Sequence, residues 1–392
     1  MGGLPSSDQA AGRYRRESAA YWDRVATGVV RSRGWGKHYH RRLREIYTSL
    51  IPPGSRVLEL GCGQGNLLAT AHRLGFARPM LRGNWLSIHD VANLLHLADF
   101  ELIRSWQEVL FPLGVPWIEA LCNRFLVRVF PFFHLALTNF VVARPLISPV
   151  VGMQPSVSVI IPARNEAGNI REIFARMPEM GSEFELVFVE GHSEDQTYET
   201  IAAEVAEHPQ WHCTLLRQEG MGKGDAVRQG FAHARGDVLM ILDADLAVAP
   251  EALPRFLEAL VAGKGELVNG VRLVYPMERT AMRFLNLVGN KFFTIAFTWI
   301  LGQPIKDALC GTKVLWRRDY ERLAANRHSL GDFDPFGDFD LIFGCAKLNR
   351  RIVDMPVRYR ERQYGETNIR RWQHGWMLLK MLILGTLKLK FI

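Results

Sequence analysis

Apolar runs that each end in a polar turn recur along the second half of this chain, and they constrain its fold more than any other feature. The first is VSVIIP (157–162), the second is ELVFVE (185–190), and the third is VLMILD (238–243). Short apolar runs bounded by polar turns are typical of buried strands, and segments with helical periodicity lie between them. This alternation, which continues to about residue 360, predicts an α/β fold with a mostly parallel sheet.

Composition and charge limit the class of protein. The 392 residues are 48% hydrophobic and 22% charged, which is typical of a globular protein of two or three domains. The net charge of +8 favours an anionic partner, but the basic residues are dispersed and no nucleic-acid-binding motif is present, so nucleic acid is not expected. The five cysteines are far apart and form no CxxC pair, which argues against a zinc site and favours the cytoplasm.

A proline-containing stretch, ARPLISPVVGMQPS (143–156), separates two regions that differ in their sequence patterns. We place a linker near residue 150, which predicts domains at 1–150 and 151–392. Two apolar segments, 129–143 and 377–387, are shorter than the roughly 20 apolar residues needed to cross a bilayer. No membrane span is predicted.

The first region contains VLELGCGQGNLLATA (57–71), which reads as a strand, a glycine-rich turn and a helix. It resembles motif I of class I S-adenosylmethionine-dependent methyltransferases, and the resemblance implies a Rossmann-like sheet with Glu59, Gly61 and Gly63 at the cofactor. The segment DFELIRS (99–105) resembles a late strand of the same family.

The middle of that methyltransferase is missing. Only 27 positions separate Ala71 from Ala98, whereas one β-α-β unit takes roughly 30 residues. No strand ending in an acid for the cofactor's ribose follows the motif. We therefore expect an incomplete, Rossmann-like methyltransferase region that does not bind S-adenosylmethionine, and the alternative is a working methyltransferase in a bifunctional chain.

The third apolar run of the second region ends in the pair Asp243 and Asp245. Strand side chains alternate, so both carboxylates are predicted to project to the same side. Two carboxylates at the end of an apolar strand repel each other unless a cation lies between them, and oxygen ligands suit Mg²⁺ or Mn²⁺. The alternative is a solvated loop.

Three segments that precede the acid pair support a second resemblance. They are a polar turn PARNE (162–166), the segment EGHSEDQT (190–197) and the glycine-flanked Lys223. Together with the acid pair they resemble family 2 glycosyltransferases of the GT-A fold over about residues 155–372. This resemblance implies that the metal at Asp243 and Asp245 bridges the diphosphate of a nucleotide-sugar donor. It also implies a set of nucleotide-binding residues: Pro162, Arg164, Asn165, Glu166, Glu190, Ser193, Asp195 and Lys223. The family's usual DDGSxDxT is altered here, because Glu190 and Gly191 replace the acid pair.

Later segments, including NGVRLVYPMERTAMRF (269–284) and YGETNIRRW (364–372), resemble polyprenyl-phosphate sugar transferases, the group that includes dolichyl-phosphate mannose synthases. In that group basic residues hold the acceptor phosphate, which implies this role for Arg272 and Arg283. Ala247 departs from the pattern, because those synthases often place a metal-binding Gln there.

Two further acids, Asp338 and Asp340, occupy the region that supplies a catalytic base in saccharide-extending relatives. A sugar hydroxyl must lose its proton to a side chain, whereas a phosphate is already mostly ionised. The alternative is that both are helix N-terminal acids favoured by the helix dipole.

The C-terminal segment RRWQHGWMLLKMLILGTLKLKFI (370–392) combines basic residues, tryptophans and a leucine-rich face. Such an amphipathic helix predicts peripheral contact with the cytoplasmic face of a membrane, and the alternative is packing against the sheet. The expected activity is therefore metal-dependent transfer of a sugar from a nucleotide-sugar to a polyprenyl-phosphate acceptor. Extension of a cell-envelope glycan acceptor is the alternative.

Overall fold

The computed structural model describes residues 42, 45–46, 86–113, 115–146, 152–272, 284–327, 337–359, 364 and 371–391. The chain divides into two compact units. Gln107–Phe140 belongs to the first unit, whereas Ile88–Trp106 and Val141–Ile392 belong to the second. The predicted domains at 1–150 and 151–392 remain predictions.

A seven-stranded sheet forms the centre of the second unit, with strand order β5-β4-β3-β6-β8-β7-β9. The strands are β3 (Val157–Ala163), β4 (Phe184–Glu190), β5 (His212–Arg217), β6 (Val238–Ile241), β7 (Leu267–Val271), β8 (Lys313–Trp316) and β9 (Ile352–Pro356). Strand β8 runs antiparallel to β6 and β7, and the other pairs are parallel. This mostly parallel α/β sheet confirms the predicted fold class.

Helices cover both faces of this sheet. They are α2 (Ala167–Arg176), α3 (Thr197–Glu207), α4 (Lys223–His233), α5 (Leu253–Val261), α6 (Phe284–Leu301), α7 (Arg317–Ala325), α8 (Asp338–Lys347) and α9 (Arg371–Gly385). The sequence of the central strand β3 is almost entirely apolar because both faces of the strand are buried. Ile160 packs into the core with α4, α6 and α8, while Val159 and Ile161 pack into the opposite core with α2 and α5.

The parallel strands β3, β4 and β6 place their carboxyl ends at one edge of the sheet. Each strand is followed there by a loop that carries polar side chains, at 164–166, 191–196 and 242–249 respectively. Open α/β sheets bind their ligands outside this edge. The fold therefore brings together the three loops that carry most of the predicted site residues.

A helix and a two-stranded sheet precede the large sheet: α1 (Ile88–Leu97), β1 (Phe100–Glu108) and β2 (Thr138–Pro145). The strand predicted at 99–105 is therefore confirmed. Arg144 in β2 is 8% exposed and ion-pairs with Glu101 and Glu266, and it donates to the carbonyl oxygen of Gly263 over 2.7 Å. These contacts attach the β1–β2 ribbon to the end of α5 and the start of β7 within the second unit.

The described part of the first unit consists mainly of short helical turns, at Ile118–Ala120, Leu121–Phe125, Leu126–Arg128 and Phe132–Leu135. Glu108 is 1% exposed and is paired with Arg128 and Arg42. Among all helices of the described residues, none combines the length and the hydropathy required to span a bilayer.

Candidate active site

The acid pair lies in a turn rather than in a strand. Strand β6 ends at Ile241, two residues before Asp243, and the N–H of Leu242 still donates to the carbonyl oxygen of Ile160 in β3, so the acids lie just beyond the strand. The side chains of Leu242, Ala244 and Leu246 are buried and hold the turn against the core. Asp243 and Asp245 alternate with these residues and are each partly exposed. The turn itself therefore brings both carboxylates to the carboxyl edge of the sheet.

The surroundings of Asp245 oppose its ionisation. Burial raises the pKa of Asp245 and the negative charge of Asp243 raises it further, while the charges of Lys223 and Arg272 lower it. The backbone N–H of Ala247 also donates to Asp245 Oδ1 over 3.1 Å. A carboxyl group whose ionisation is opposed by burial and by a like charge gains stability when a cation binds beside it.

Lys223, the first residue of α4, supplies one such cation. Its Nζ lies 2.5 Å from Asp243 Oδ1. Burial lowers the pKa of Lys223, but the charges of Asp243, Asp338 and Asp245 outweigh this effect and raise the pKa above its ordinary value. The lysine is therefore held in its charged form.

Two glycines allow this cluster to close. A Cβ on Gly311 would lie 2.0 Å from Asp243 Oδ2 and 2.1 Å from Lys223 Nζ, so only a glycine fits beside the ion pair. Gly337 has a φ of +72°, and a Cβ there would lie 2.8 Å from the Cα of Gly224. This close approach places the N-terminus of α8 against the N-terminus of α4.

The loops after β3 and β4 are tied together by the predicted nucleotide-binding residues. Asn165, with a φ of +56°, donates its backbone N–H to Ser193 Oγ (3.0 Å) and accepts from the N–H of Glu194 through Oδ1 (2.8 Å). Glu190 is buried at the end of β4, and its Oε1 accepts from the N–H of Ser193 (2.6 Å). These bonds give the edge of the sheet a defined shape.

A second set of bonds continues the same connection. The N–H of Glu166 donates to Thr197 Oγ1 (2.9 Å), and the N–H of Ala167 donates to Asp195 Oδ2 (3.2 Å). Burial raises the pKa of Asp195, but hydrogen bonds from Thr197, Ala167 and Tyr364 outweigh it and lower the pKa below its ordinary value. Asp195 therefore stays ionised.

The remaining two residues of the predicted nucleotide set lie at the end of β3. Pro162 is within the strand, and Arg164 follows it with an exposed side chain.

Arg272 follows β7 and is held by a bidentate ion pair. Its Nε and Nη2 lie 2.7 and 2.9 Å from the two carboxylate oxygens of Asp307, and its guanidinium lies over the ring of Tyr359 at 5.2 Å. Its positive charge is close enough to Asp245 to lower the pKa of that carboxyl group. Arg283, the other predicted acceptor-phosphate residue, lies outside the described residues.

The two candidate bases are both paired with cations. Asp338 is 4% exposed, and its Oδ1 lies 2.9 Å from Nζ of Lys313, which is completely buried. Asp340 Oδ2 lies 2.8 Å from Nε of Arg327. Both acids are in the first turn of α8, where the helix dipole favours negative charge. The structure therefore brings Asp338, but not Asp340, into the cluster around Lys223.

Sequence reasoning missed four residues of this site: Gln218, Gly311, Lys313 and Tyr359. Lys313 had a visible signal, since a lysine that begins an apolar strand needs a buried anion. Gln218 is buried beside Gly191, where a Cβ would lie 3.0 Å from its Oε1. No local pattern marks Gln218, because its position depends on contacts between distant loops.

The described residues contain no group of three or more His, Cys, Asp or Glu side chains arranged to hold a metal ion. Asp243 and Asp245 offer two carboxylates. Mg²⁺ is commonly bound in this way, through one or two carboxylates together with substrate phosphates and water. The acid pair therefore fits a divalent ion that is shared with a diphosphate.

An acidic turn, a helix N-terminus with a lysine and two cross-linked loops meet at the carboxyl edge of this α/β sheet, where open α/β sheets bind their ligands. The sequence model described as "Glycosyl transferase family 2" matches residues 158–324. An undecaprenyl-phosphate mannosyltransferase of Micrococcus luteus is 30% identical over 221 residues, which cover 54% of this chain and 87% of that protein. The chain belongs to glycosyl transferase family 2, and the predicted enzyme class is confirmed.

Two other relatives match a smaller share of their own length. A dolichol-phosphate mannosyltransferase of Pyrococcus furiosus is 37% identical over 55% of this chain and 59% of its own. An undecaprenyl-phosphate 4-deoxy-4-formamido-L-arabinose transferase of Edwardsiella ictaluri is 28% identical over 54% of this chain and 62% of its own. The chain thus spans less than two thirds of either protein.

A solved structure of glucosyl-3-phosphoglycerate synthase from Mycobacterium tuberculosis, in complex with Mn²⁺, UDP and glucosyl-3-phosphoglycerate, is 18% identical. It covers 60% of this chain and 80% of its own, with a TM-score of 0.44.

The first region also matches a family. The model described as "Methionine biosynthesis protein MetW" matches residues 41–76, which include the glycine-rich motif. Glu59, Gly61 and Gly63 lie outside the described residues. The expectation that this region does not bind S-adenosylmethionine therefore remains a prediction.

Proposed function

We propose that this chain transfers a sugar from a nucleotide-sugar donor to a polyprenyl phosphate at a membrane surface, with a divalent cation held by Asp243 and Asp245. The observation that carries this proposal is the cluster of both acids with Lys223 at the carboxyl edge of the sheet. The names of the three relatives support the acceptor class, because each is a transferase that uses a polyprenyl phosphate.

On the donor side, a bound divalent ion would stabilise negative charge on the departing nucleoside diphosphate. The chain's own residues position the donor. The loops tied by Asn165 and Ser193 shape the nucleotide pocket, and Glu190 at the end of β4 offers acceptor oxygens to the base or ribose. Lys223 at the N-terminus of α4 places a positive charge where the diphosphate would lie.

On the acceptor side, each of Asp338 and Asp340 is held in an ion pair with a basic residue. This favours a phosphate over a sugar hydroxyl as the group that accepts the sugar. A general base needs a carboxylate that can reach and accept a proton, whereas Asp338 is buried against Lys313 and Asp340 is paired with Arg327. A phosphate monoester, with a second pKa of about 6, is mostly ionised at neutral pH and needs no base. Arg272, fixed by Asp307 beside the acid pair, is the described residue that we assign to this phosphate.

The membrane contact is assigned to helices α6 and α9, which pack against each other. Their exposed apolar side chains are Phe292, Ile295, Trp299, Trp376 and Ile383. Lys380 lies 6.0 Å from the ring centre of Trp376, and Lys390 lies 5.0 Å from that of Trp299. Exposed tryptophans beside lysines suit the headgroup layer of an anionic membrane. The four cysteines of the described residues are free thiols, which fits the cytoplasmic face.

A Trp376→Ala, Ile295→Ala double variant is expected to bind anionic vesicles at least about tenfold more weakly, because two large apolar groups leave the interface. Flotation with vesicles of 30 mol% anionic lipid measures this. Leu94→Ala is the matched control, because Leu94 is an exposed apolar residue on a different helix, α1. This variant should bind the vesicles as the wild type does. Equal flotation of the double variant and the wild type would remove α6 and α9 from the proposed interface.

The acceptor is tested with the full chain, Mn²⁺ and a panel of radiolabelled nucleotide sugars. One arm contains a short-chain polyprenyl phosphate in detergent, and the other contains an oligosaccharide. We expect label in the lipid phosphate arm only. Label in the oligosaccharide arm alone would replace the proposed acceptor with a saccharide, and label in neither arm would reject the proposed activity.

A further inference from the structure

The ammonium group of Lys223 contacts the same carboxylate that the proposed function gives to the metal ion. Lys223 Nζ lies 2.5 Å from Asp243 Oδ1, which is a direct ion pair. The backbone of Gly311 closes one side of this pair, as the 2.0 and 2.1 Å approaches of an added Cβ show. The two side chains are still 26% and 33% exposed, so another side is open to solvent and to ligands.

Lys223 already compensates part of the negative charge at this acid pair. Asp338 is already neutralised by Lys313. Asp243 and Asp245 are two neighbouring carboxyl groups, and Lys223, which contacts Asp243, supplies one positive charge to them. A divalent ion that bound at Asp243 while Lys223 stayed in place would meet a like charge at close range, which opposes its binding.

A nucleoside diphosphate changes this balance. Lys223 begins α4 directly after Gly222, which has a φ of +84°, so the lysine stands beside the free N–H groups of a helix N-terminus. Phosphate oxygens bind at such positions, and the flexible side chain of lysine can move from a carboxylate to a phosphate. The diphosphate would also bring its own oxygen ligands to the metal ion.

We infer that Lys223 and the divalent cation compete for Asp243, so that the ion is held tightly only when a nucleoside diphosphate gives Lys223 another partner. This inference rests on the proposed function. It makes the binding of metal and nucleotide mutually dependent, and each must raise the affinity of the other by the same factor. Lys223 thus links metal binding to donor binding.

Titration of the full chain with Mn²⁺, followed by the electron paramagnetic resonance signal of the free ion, tests the competition without any turnover. In the absence of nucleotide, Lys223→Met is expected to bind Mn²⁺ about tenfold more tightly than the wild type, since the competing charge is gone. Lys223→Gln should behave in the same way. Lys223→Arg keeps the charge and should bind Mn²⁺ as weakly as the wild type. Lys291→Met, which removes one exposed lysine from α6, is the matched control for net charge.

The same titrations are repeated with UDP, GDP, CDP and ADP. In the wild type, we expect one of these nucleotides to tighten Mn²⁺ binding. In Lys223→Met this tightening factor should be smaller. The reduction should be about as large as the factor by which the variant binds Mn²⁺ alone more tightly than the wild type. Unchanged or weaker binding of Mn²⁺ alone in folded Lys223→Met and Lys223→Gln would overturn the competition while leaving the proposed function intact. No Mn²⁺ binding by the wild type with any of the four nucleotides would instead reject the proposed function itself.

Discussion

Asp245→Asn is expected to lose sugar transfer by about 10³-fold in kcat/KM, because under the proposed function it removes one of the two carboxylate charges that would hold a metal ion against the departing diphosphate. The substitution preserves shape. An asparagine Oδ1 can still accept the hydrogen bond from the N–H of Ala247, so the turn should keep its conformation. Initial rates measured at several Mn²⁺ concentrations, with the donor and acceptor found for the wild type, give the effect.

Asp237→Asn is the matched control for this loss. Asp237 precedes the other end of the same strand, where it accepts from the hydroxyl of Ser156 over 2.8 Å. Asp237 lies at the opposite end of β6 from the acid pair. The rate of sugar transfer by Asp237→Asn should therefore stay within about twofold of the wild-type rate. Transfer by Asp245→Asn at the wild-type rate would show that this acid does not hold the metal ion.

The order of polar turns along the sequence was enough to predict which loops meet at one edge of the sheet. Loops that follow parallel strands meet at one edge of the sheet, so PARNE, the segment after Glu190, and the acid pair had to lie together once the strands were recognised. The strand end was not predictable in the same way. The apolar run continues to Leu242, whose N–H still donates to the carbonyl oxygen of Ile160 in β3, and Asp243 and Asp245 lie in the turn that follows the assigned strand.

Contacts between segments that are distant in sequence could not be predicted from local patterns. Asp338 was open to two interpretations, a base or a helix N-terminal acid, and its partner Lys313 lies 25 residues earlier in the antiparallel strand β8. The contact of Lys223 with Asp243 likewise depends on Gly311, which belongs to the loop before β8. Such pairings arise from the three-dimensional packing of strands and helices, and a single sequence contains no periodic signal for them.

The buried pair of Lys313 and Asp338 supports a second large effect, this time on stability. Lys313→Met is expected to lower the free energy of unfolding by about 3–5 kcal/mol, because it leaves the carboxylate of Asp338 buried without its counter-ion. Methionine fills a similar volume, so a cavity contributes little. The carbonyl oxygen of Cys310, which accepts from Lys313 Nζ over 2.5 Å, also loses its donor. Urea denaturation followed by tryptophan fluorescence measures the change.

The double variant Lys313→Met, Asp338→Asn separates loss of the counter-ion from loss of packing. With the negative charge removed as well, most of the stability should return, since replacing both members of a buried ion pair costs far less than removing one. Asp338→Asn alone should be intermediate, because Lys313 would remain buried but would keep the Cys310 carbonyl as a partner. If the single and double variants were equally unstable, the loss would come from packing at position 313 and not from the unpaired charge. If Lys313→Met were as stable as the wild type, the ion pair would not contribute to holding the N-terminus of α8 in place.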